Sequence, residues 1–240
     1  MGSRVIWCLG MYASASTWLL NAVREIQVAS GQNDLAIQFV RETINPTMLD
    51  GKHAVSVVKS HEIIDETTLL ALAGRSDTIL MTIRDPLDAV ASVMEYQRIQ
   101  FARALELVKQ SSALCLDYIK DRRTTCFTYE TKFFDAPATM LSLARLMGVT
   151  ISREAAQQSF DKLRRAAVEK FIKGLPQQKG ILRDLASGDY LDPVTQWHTH
   201  HAGRSGEIGR WRHSLAPEDA RQIQGLPETI RISRFIAAIA

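Results

Sequence analysis

The chain has 240 residues, of which 46% are hydrophobic and 23% are charged. These proportions are those of a globular protein, and the length suits one domain that buries a sizeable core without disulfides or metals. The net charge of +3 is compatible with an anionic ligand but too small to predict a nucleic-acid partner.

The uncharged stretch Val5–Val23 must be weighed as a membrane span or a secretory signal. Glycine, serine, threonine and asparagine interrupt it, so a strand, a turn and a helix explain it better. The three cysteines, Cys8, Cys115 and Cys126, match no zinc or redox spacing and are interpreted as reduced core thiols. Together these features predict a cytoplasmic protein with no membrane span.

Short apolar runs alternate with longer helical segments from the first residues onward. Strands are predicted at 5–9, 54–58, 78–83 and 124–128, and helices at 16–28, 65–73, 136–147 and 152–172. Ser16 is expected to cap the first of these helices, and Asp85-Pro86 to begin a further one. This alternation predicts an α/β fold with a central parallel sheet flanked by helices.

The last third of the chain differs in character. Residues 174–208 lose periodicity and are rich in Gly, Pro, Asp and Gln, which is typical of a lid or an acceptor-side excursion. Residues 216–240 predict two short helices. No repeat divides the chain, so 1–240 is predicted to form a single domain. Ligands of such folds bind beyond the carboxyl ends of the strands.

The segment Gly10–Trp18 follows the first predicted strand and opens the first helix. Such a turn presents backbone N–H groups and the positive helix end to an anion, and the hydroxyls of Ser14, Ser16 and Thr17 add donors. A plain turn rich in small residues is the alternative.

The same turn is close to the Walker A pattern, G-x-x-x-x-G-K-[ST]. Gly10 and Thr17 fit the pattern, but Ala15 replaces its second glycine and Ser16 replaces its lysine. A grip on a β- or γ-phosphate needs that lysine, so a P-loop kinase or NTPase is disfavoured, although it stays an alternative.

A second candidate anion site lies at the next strand-to-helix turn. Arg84 ends a predicted strand, where a guanidinium can bind a phosphate with two hydrogen bonds, and Ser92 follows eight residues later. The alternative is an Arg84 paired with Asp85 or Asp88 across the turn. Two anion sites on neighbouring turns predict a ligand with phosphates at both ends.

On these residues the chain resembles the sulfotransferases that use 3′-phosphoadenosine 5′-phosphosulfate (PAPS). The loop motif of that family, roughly Tyr-Pro-Lys-Ser-Gly-Thr-Thr-Trp, is similar to residues 11–18, with matches at Ser14, Thr17 and Trp18. The family's arginine and serine, eight residues apart, are similar to Arg84 and Ser92.

Four further matches follow the family's order along the chain. They are Lys59-Ser60-His61 for Lys-Thr-His, Tyr129-Glu130 for Tyr-Glu, Ser159-Phe160 for Ser-Phe, and the segment from Arg204 through Ser205 and Gly206 to Arg212 for the family's Arg-Lys-Gly region. The matches cover residues 5 to about 215. The resemblance implies a P-loop-like sulfotransferase fold, and the compactness of the chain suggests a short member of bacterial type.

The resemblance also implies a role for each matched residue. Residues 14–18 hold the 5′-phosphosulfate, with Trp18 stacked on adenine, and Arg84 and Ser92 hold the 3′-phosphate. Tyr129 and Phe160 border the nucleotide, and Arg204, Ser205 and Gly206 close over the 3′-phosphate. His61 is the general base, and Lys59 positions the reacting groups.

One position departs from the family. The loop lysine, often arginine in bacterial members, would fall at Ala13. The loss of one such positive group costs roughly 3 kcal/mol of transition-state stabilisation. Three explanations stay open: Lys59 or an arginine of the lid substitutes, the position was altered, or the protein binds PAPS with weak or no turnover.

The implied reaction uses PAPS as co-substrate, yields adenosine 3′,5′-bisphosphate (PAP) and requires no metal. The cluster Trp197-His198-Thr199-His200-His201 is weak evidence for a metal site, and histidines of the lid or acceptor contacts are the favoured interpretation. The expected acceptor is a hydroxyl-bearing small molecule or glycan. No motif identifies it, and none predicts an oligomeric state.

Overall fold

The computed structural model of the protein describes residues 3–183, 188–199 and 206–239. Arg204 and Ser205, which the sequence assigns to the nucleotide site, and the histidines at 200 and 201 lie outside these ranges. The strands are β1 (Arg4–Gly10), β2 (Leu35–Phe39), β3 (Val55–Ser60), β4 (Thr78–Ile83), β5 (Thr124–Thr128), β6 (Leu182–Arg183) and β7 (Tyr190–Leu191). The helices are α1 (Ser16–Ala29), α2 (Glu66–Arg75), α3 (Pro86–Gln97), α4 (Phe101–Tyr118), α5 (Ala138–Leu146), α6 (Arg153–Leu163), α7 (Arg165–Gly174), α8 (Trp211–Ser214), α9 (Pro217–Gln224) and α10 (Pro227–Ile239).

Five strands form one parallel sheet in the order β2-β3-β1-β4-β5. This confirms the predicted α/β fold. The remaining strands, β6 and β7, pair in a small antiparallel hairpin within the segment predicted as an excursion.

The centre of the sheet is buried on both faces. In β1, Trp7 and Leu9 belong to the core formed with α3, α4 and α10, whereas Ile6 and Cys8 belong to the core formed with α1, α5 and α6. Such strands are continuously apolar because helices cover both faces of a parallel sheet. The apolar run at the start of the chain is therefore a central strand, and no helix in the described ranges is long and apolar enough to span a membrane.

The edge strand β2 was not predicted. Of its five residues, Leu35–Phe39, the first four are only partly buried and Phe39 is exposed. The signal was available, because the preceding Gly-Gln-Asn-Asp run is typical of a turn before a strand. A short strand at the end of the strand order pairs with one neighbour only and is less buried, so its sequence carries no strong apolar pattern.

The two helix starts that flank the sheet centre differ from each other. Asp85 caps α3 as predicted, because its side chain accepts hydrogen bonds from the N–H groups of Leu87 and Asp88 at 2.8 and 3.4 Å. The predicted cap of α1 is wrong, because Ser16 is the first helical residue. The N-cap is Ala15, whose methyl group cannot accept a hydrogen bond. The start of α1 thus presents its N–H groups without a side-chain cap.

Candidate active site

Because the strands run parallel, the predicted site residues lie together at the carboxyl ends of the strands. His61 follows β3 directly, Arg84 follows β4, and Tyr129 follows β5. The register sets Leu9 beside Ser60, Gly10 beside Thr82, and Ile83 beside Thr128, so these strands end at nearly the same level. The loop after β1 therefore lies between His61 on one side and Arg84 on the other.

The loop after β1 has an unusual backbone. Ala13 and Ala15 have φ values of 59° and 66°, in the left-handed region that few non-glycine residues adopt. Consecutive changes of this kind turn backbone N–H groups toward one concavity, which is how phosphate-binding loops are built. Such residues cost about 1–2 kcal/mol each, and this strain is typical of functional loops.

Gly10 is the one position of this loop where no side chain fits. A Cβ at Gly10 would lie 2.5 Å from Thr82 Oγ1 and 2.6 Å from Ser16 Cβ. The first helical turn of α1 therefore packs directly against β4, and glycine at the strand end permits it. This is a packing reason for the first glycine of the Walker-like pattern.

The hydroxyls of Ser14 and Thr17 are already engaged within the protein. Ser14 donates to Met11 O at 2.6 Å and shares a 2.7 Å hydrogen bond with Thr82 Oγ1. Lys59 donates from Nζ to Thr17 Oγ1 at 2.6 Å. Contacts with β3 and β4 thus fix the shape of the loop before any ligand arrives, and its backbone amides can face an anion.

Lys59 is a buried cation without a carboxylate partner among the described residues. Its side chain is 3% exposed, and burial lowers its pKa from 10.5 to about 7. It lies behind Thr17 and does not line the cavity described below. An anion placed on the loop would stabilise the ammonium form, because opposite charges favour each other strongly where water is excluded.

His61 has the geometry of a neutral base. Its Nδ1 lies 2.7 Å from the carbonyl oxygen of Gly10, so Nδ1 carries the proton and Nε2 is left with a free electron pair. Burial and the charge of nearby Lys59 lower the pKa of His61 to about 3. The imidazole is therefore uncharged at neutral pH, which general-base chemistry requires.

Arg84 connects the two anion-binding turns. Its Nη1 donates to Ala13 O and its Nη2 to Glu207 O, both at 3.1 Å, and its guanidinium lies 4.0 Å from the centre of the Tyr129 ring. The nearest Asp88 oxygen is 3.9 Å away. Nε is buried and has no hydrogen-bond partner in the described part of the chain. The guanidinium is thus held by two neutral carbonyls and by a long ion pair with Asp88, the partner that the sequence left as an alternative. An anionic ligand can outcompete the carbonyls.

The segment 206–211 crosses over the start of α3. Asp88 accepts hydrogen bonds from the N–H groups of Gly209 at 2.6 Å and Trp211 at 3.0 Å, and Tyr129 donates to Gly206 O at 3.2 Å. Arg210 forms an ion pair with Glu95 of α3. The sequence singled out Gly206 but not these anchors, and Asp88 appeared only as an alternative partner of Arg84.

One cavity of about 320 Å³ collects most of the predicted site residues. It is lined by Ser14, Ala15, Ser16, Thr17, Trp18, His61, Arg84, Ser92, Tyr129 and Gly206. Phe160 does not line it but supports Trp18, whose ring it meets edge-on at 6.5 Å, while Phe133 meets the same ring at 5.7 Å. Trp18 is thereby held rigid at the cavity wall.

Several lining residues were missed by sequence reasoning. They are Glu95, Tyr96, Lys132, Phe134, Asp135, Leu163, Arg165, Val168, Trp197, Glu207 and Arg210. Tyr96 could have been found, because it lies one helical turn beyond Ser92 and so shares its face of α3. The residues from α6, α7 and the later loops could not, because only the folded chain brings them to this edge.

Within the ranges that the structure describes, no three His, Cys, Asp or Glu side chains are placed to hold a metal ion. The three cysteines are free thiols, with Cys8 and Cys115 buried and Cys126 partly buried. Burial raises the pKa of the thiol of Cys8 to about 12, which makes it a core residue rather than a nucleophile.

Solved structures of sulfotransferases share this fold. Mouse sulfotransferase SULT7A1 in complex with PAP superposes with a TM-score of 0.65 at 10% identity, over 98% of this chain and 89% of that one. Retinol dehydratase with androsterone and the inactive cofactor PAP gives 0.56 at 16% identity, over 92% and 79% of the two chains. Retinol dehydratase with retinol and PAP gives 0.57 at 16% identity, over 96% and 81%.

Sequence comparisons give no such match. No protein-family model and no curated protein matches the chain. The resemblance predicted from the motifs is therefore confirmed at the level of the fold, which is the sulfotransferase fold, and the chemistry has to be argued from the site.

Proposed function

We propose that this protein is a sulfotransferase that transfers the sulfuryl group of PAPS to an acceptor hydroxyl, with His61 as the general base. One observation carries the proposal: a neutral histidine, a phosphate-type loop and a buried arginine with a free donor all face one cavity on this fold. The solved structures that share the fold hold PAP, the product of such a transfer.

The residues fit a nucleotide with phosphates at both ends. The uncapped start of α1 and the left-handed residues Ala13 and Ala15 suit the 5′-phosphate. Arg84 and Ser92 suit the 3′-phosphate, and Trp18 offers a flat face for adenine. Arg204 and Ser205 are proposed with Gly206 to close this site, on the resemblance of their sequence alone.

When bound, PAPS supplies a sulfuryl group on a phosphate leaving group. The acceptor oxygen forms a bond to sulfur as the bond from sulfur to the bridging oxygen breaks, and the acceptor proton moves to Nε2 of His61. The bridging oxygen departs with PAP. Gly10 O keeps the Nδ1 proton in place throughout, so that Nε2 alone can accept. This transfer needs positioning and charge neutralisation more than covalent help.

Lys59 is proposed to neutralise charge at the loop from behind. Its hydrogen bond to Thr17 places an ammonium one hydroxyl away from the anion-facing turn. Its low pKa reflects burial without a counter-ion, which a bound phosphosulfate would supply. Lys59 is thus proposed as the substitute for the loop cation that Ala13 lacks, beside Arg84, which donates to Ala13 O at 3.1 Å.

The proposed acceptor is a small molecule or glycan bearing a hydroxyl. Androsterone and retinol occupy retinol dehydratase on the same fold. In this chain Tyr96, Trp197 and Glu95 line the same cavity as His61, so it offers aromatic faces and a carboxylate that is paired with Arg210. A cytoplasmic location and a bacterial origin stay predictions from the sequence.

The test separates binding from chemistry. We expect PAP, titrated into the protein by calorimetry, to bind tightly, and ATP to bind much more weakly. Radiolabelled PAPS, offered with a panel of phenols, alcohols and sugars, should yield a sulfated product. His61→Ala should lower kcat by about 1,000-fold and leave PAP affinity unchanged. Loss of both properties in this variant, or full turnover without the imidazole, would exclude the base assignment.

A second candidate function rests on Ala13. Without a loop cation, the protein would bind PAP or PAPS and turn it over weakly or not at all. Strong binding of PAP together with no transfer to any acceptor on the panel, and transfer that appears in Ala13→Lys, would support this alternative.

A further inference from the structure

The aromatic ring of Tyr12 lies flat against the proposed base. The centroids of the Tyr12 and His61 rings are 4.3 Å apart and the ring planes differ by 19°. The other ring near His61 in the described ranges, Phe39, is 6.0 Å away and tilted by 60°, so it does not stack. No sequence pattern singles out Tyr12, because the sulfotransferase loop motif has proline at this position.

The hydrogen bond to Gly10 does not by itself fix the orientation of the imidazole. It fixes the tautomer and the position of Nδ1 at 2.7 Å from the carbonyl oxygen, but the ring plane can still turn about that contact. A flat neighbour at stacking distance blocks this rotation. The direction of Nε2, the atom proposed to take the proton, therefore depends on the Tyr12 ring.

The ring also matters for the charge that appears on His61. The proton transfer converts the imidazole into an imidazolium, which burial and nearby Lys59 both disfavour. The face of a neutral phenol ring attracts a cation, by about 0.5–2 kcal/mol depending on desolvation. Burial and the neighbouring Glu62 raise the pKa of Tyr12 well above its usual value, so the ring stays neutral.

Tyr12 is itself held in place. Its backbone N–H donates to Ser111 Oγ of α4 at 3.3 Å, and its side chain packs against the core on the α3 and α4 side of the sheet. The residue precedes Ala13 in the strained loop, so the shape of the phosphate loop and the orientation of the base are set by neighbouring residues.

We propose that Tyr12 is a positioning residue for the sulfuryl transfer, which fixes the plane of the His61 imidazole by stacking and stabilises the imidazolium formed as the acceptor loses its proton. The inference deepens the proposed function and rests on it. It concerns the ring of Tyr12 and not its hydroxyl, and it predicts that phenylalanine can replace tyrosine whereas an aliphatic side chain cannot.

The kinetic test compares Tyr12→Phe with Tyr12→Leu. We expect kcat to stay within about twofold in Tyr12→Phe and to fall about tenfold in Tyr12→Leu, with the KM for the acceptor and the PAP affinity unchanged in both. Tyr118→Leu is the matched control. Tyr118 ends α4 beside Thr124, at the start of β5 and away from the carboxyl ends of the strands. Its ring meets Trp7 edge-on and does not touch His61, so the same change should leave kcat unaltered.

A second measurement does not need turnover. The nitrogen chemical shifts of His61, recorded by NMR in protein without nucleotide, should show a single tautomer with Nε2 unprotonated in the wild type and in Tyr12→Phe. In Tyr12→Leu we expect averaged shifts from a mobile ring. If the wild type transfers no sulfuryl group yet these shifts change as expected, the proposed function fails while the positioning of the imidazole stands.

Other outcomes overturn the inference. An unchanged kcat in Tyr12→Leu would show that the ring is dispensable. An equal loss in Tyr12→Phe and Tyr12→Leu would assign the effect to the hydroxyl. Unaltered His61 shifts in Tyr12→Leu would show that Gly10 alone orients the imidazole.

Discussion

The turn after β1 and the turn after β4 face the same cavity, yet they offer positive charge to it by different means. The first turn uses backbone: Ala13 and Ala15 are strained, α1 begins without a side-chain cap, and Lys59 is set back behind Thr17. The second turn uses a side chain: Asp85 and Pro86 start α3 in an unstrained way, and Arg84 projects its guanidinium across to Ala13 O.

This difference predicts which substitutions each turn can tolerate without losing its ligand. Backbone amides cannot be deleted by substitution, so the first turn should tolerate loss of a hydroxyl. A guanidinium concentrates its contribution in one residue, so the second turn should not tolerate loss of Arg84. The predictions below separate the two turns, from the largest expected effect to the smallest.

Removal of the guanidinium should have the largest effect. We expect Arg84→Met to weaken PAP binding by about 100-fold, because charge-assisted bonds to phosphate are lost from a buried site. Thr17→Val in the first turn should weaken binding only about fivefold. Calorimetric titration measures both. Arg75→Met, which alters an exposed arginine bonded to Leu49 O, is the control. Equal losses at Arg84 and Thr17 would contradict the contrast between the turns.

Addition of a side-chain cation to the first turn should raise turnover. We expect Ala13→Lys to increase kcat by up to about 100-fold, the effect of one preorganised donor on a developing oxyanion. The φ of 59° is no worse for lysine than for alanine, so the backbone should not rearrange. Ala13→Met controls for side-chain length. An unchanged kcat in Ala13→Lys would show that Lys59 or another cation already supplies the charge.

The buried ammonium group of Lys59 should lower the free energy of unfolding of the protein without nucleotide. Its pKa falls from 10.5 to about 7 on folding, so the unfolded chain binds the extra proton between these values and stability is lost as pH falls through this window. We expect Lys59→Met to raise the free energy of unfolding at pH 7 by about 2 kcal/mol, with the gain shrinking toward pH 10.5. Denaturant unfolding measures this. The same variant should bind PAP less tightly. A destabilised Lys59→Met would show that the hydrogen bond to Thr17 outweighs burial.

In the pH profile of kcat/KM, the acid limb should lie well below the pH expected for an ordinary histidine. Because the pKa of His61 is lowered from 6.5 to about 3, the free enzyme keeps its base neutral well below pH 6. We expect kcat/KM to show no acid limb from pH 6.5 down to about pH 5, whereas an unperturbed histidine would already have lost about tenfold at pH 5.5. A limb near 6.5 in the pH profile would contradict the buried environment of the imidazole.

Substitutions at the starts of α3 and α1 should have the smallest effects, and these are effects on stability. Asp85→Ala removes a side chain that caps α3 and should lower the free energy of unfolding by about 1 kcal/mol. Ser16→Ala, at the position that the sequence predicts as a cap and the structure does not, should change stability much less. Thermal unfolding of the two variants gives the comparison. A larger loss in Ser16→Ala would restore a capping role to that serine.

The sequence by itself determined the features that are local or repeated along the chain. The strand-like runs around Val5, Thr78 and Thr124 and the Asp85-Pro86 start predicted the α/β fold, because buried parallel strands and capped helices have short-range signatures. The spacing of His61, Arg84 and Ser92 after predicted strands indicated one edge of the sheet. The edge strand Leu35–Phe39 escaped because half-buried strands have weak patterns.

Only the tertiary structure decided how these groups meet. The strand order places β1 between β3 and β4, which brings His61 and Arg84 to either side of one loop. It also sets Lys59 behind Thr17, Asp88 against the segment 206–211, and Tyr12 flat on His61. No local pattern encodes these contacts, because each joins residues far apart in the chain and depends on how the sheet and helices pack.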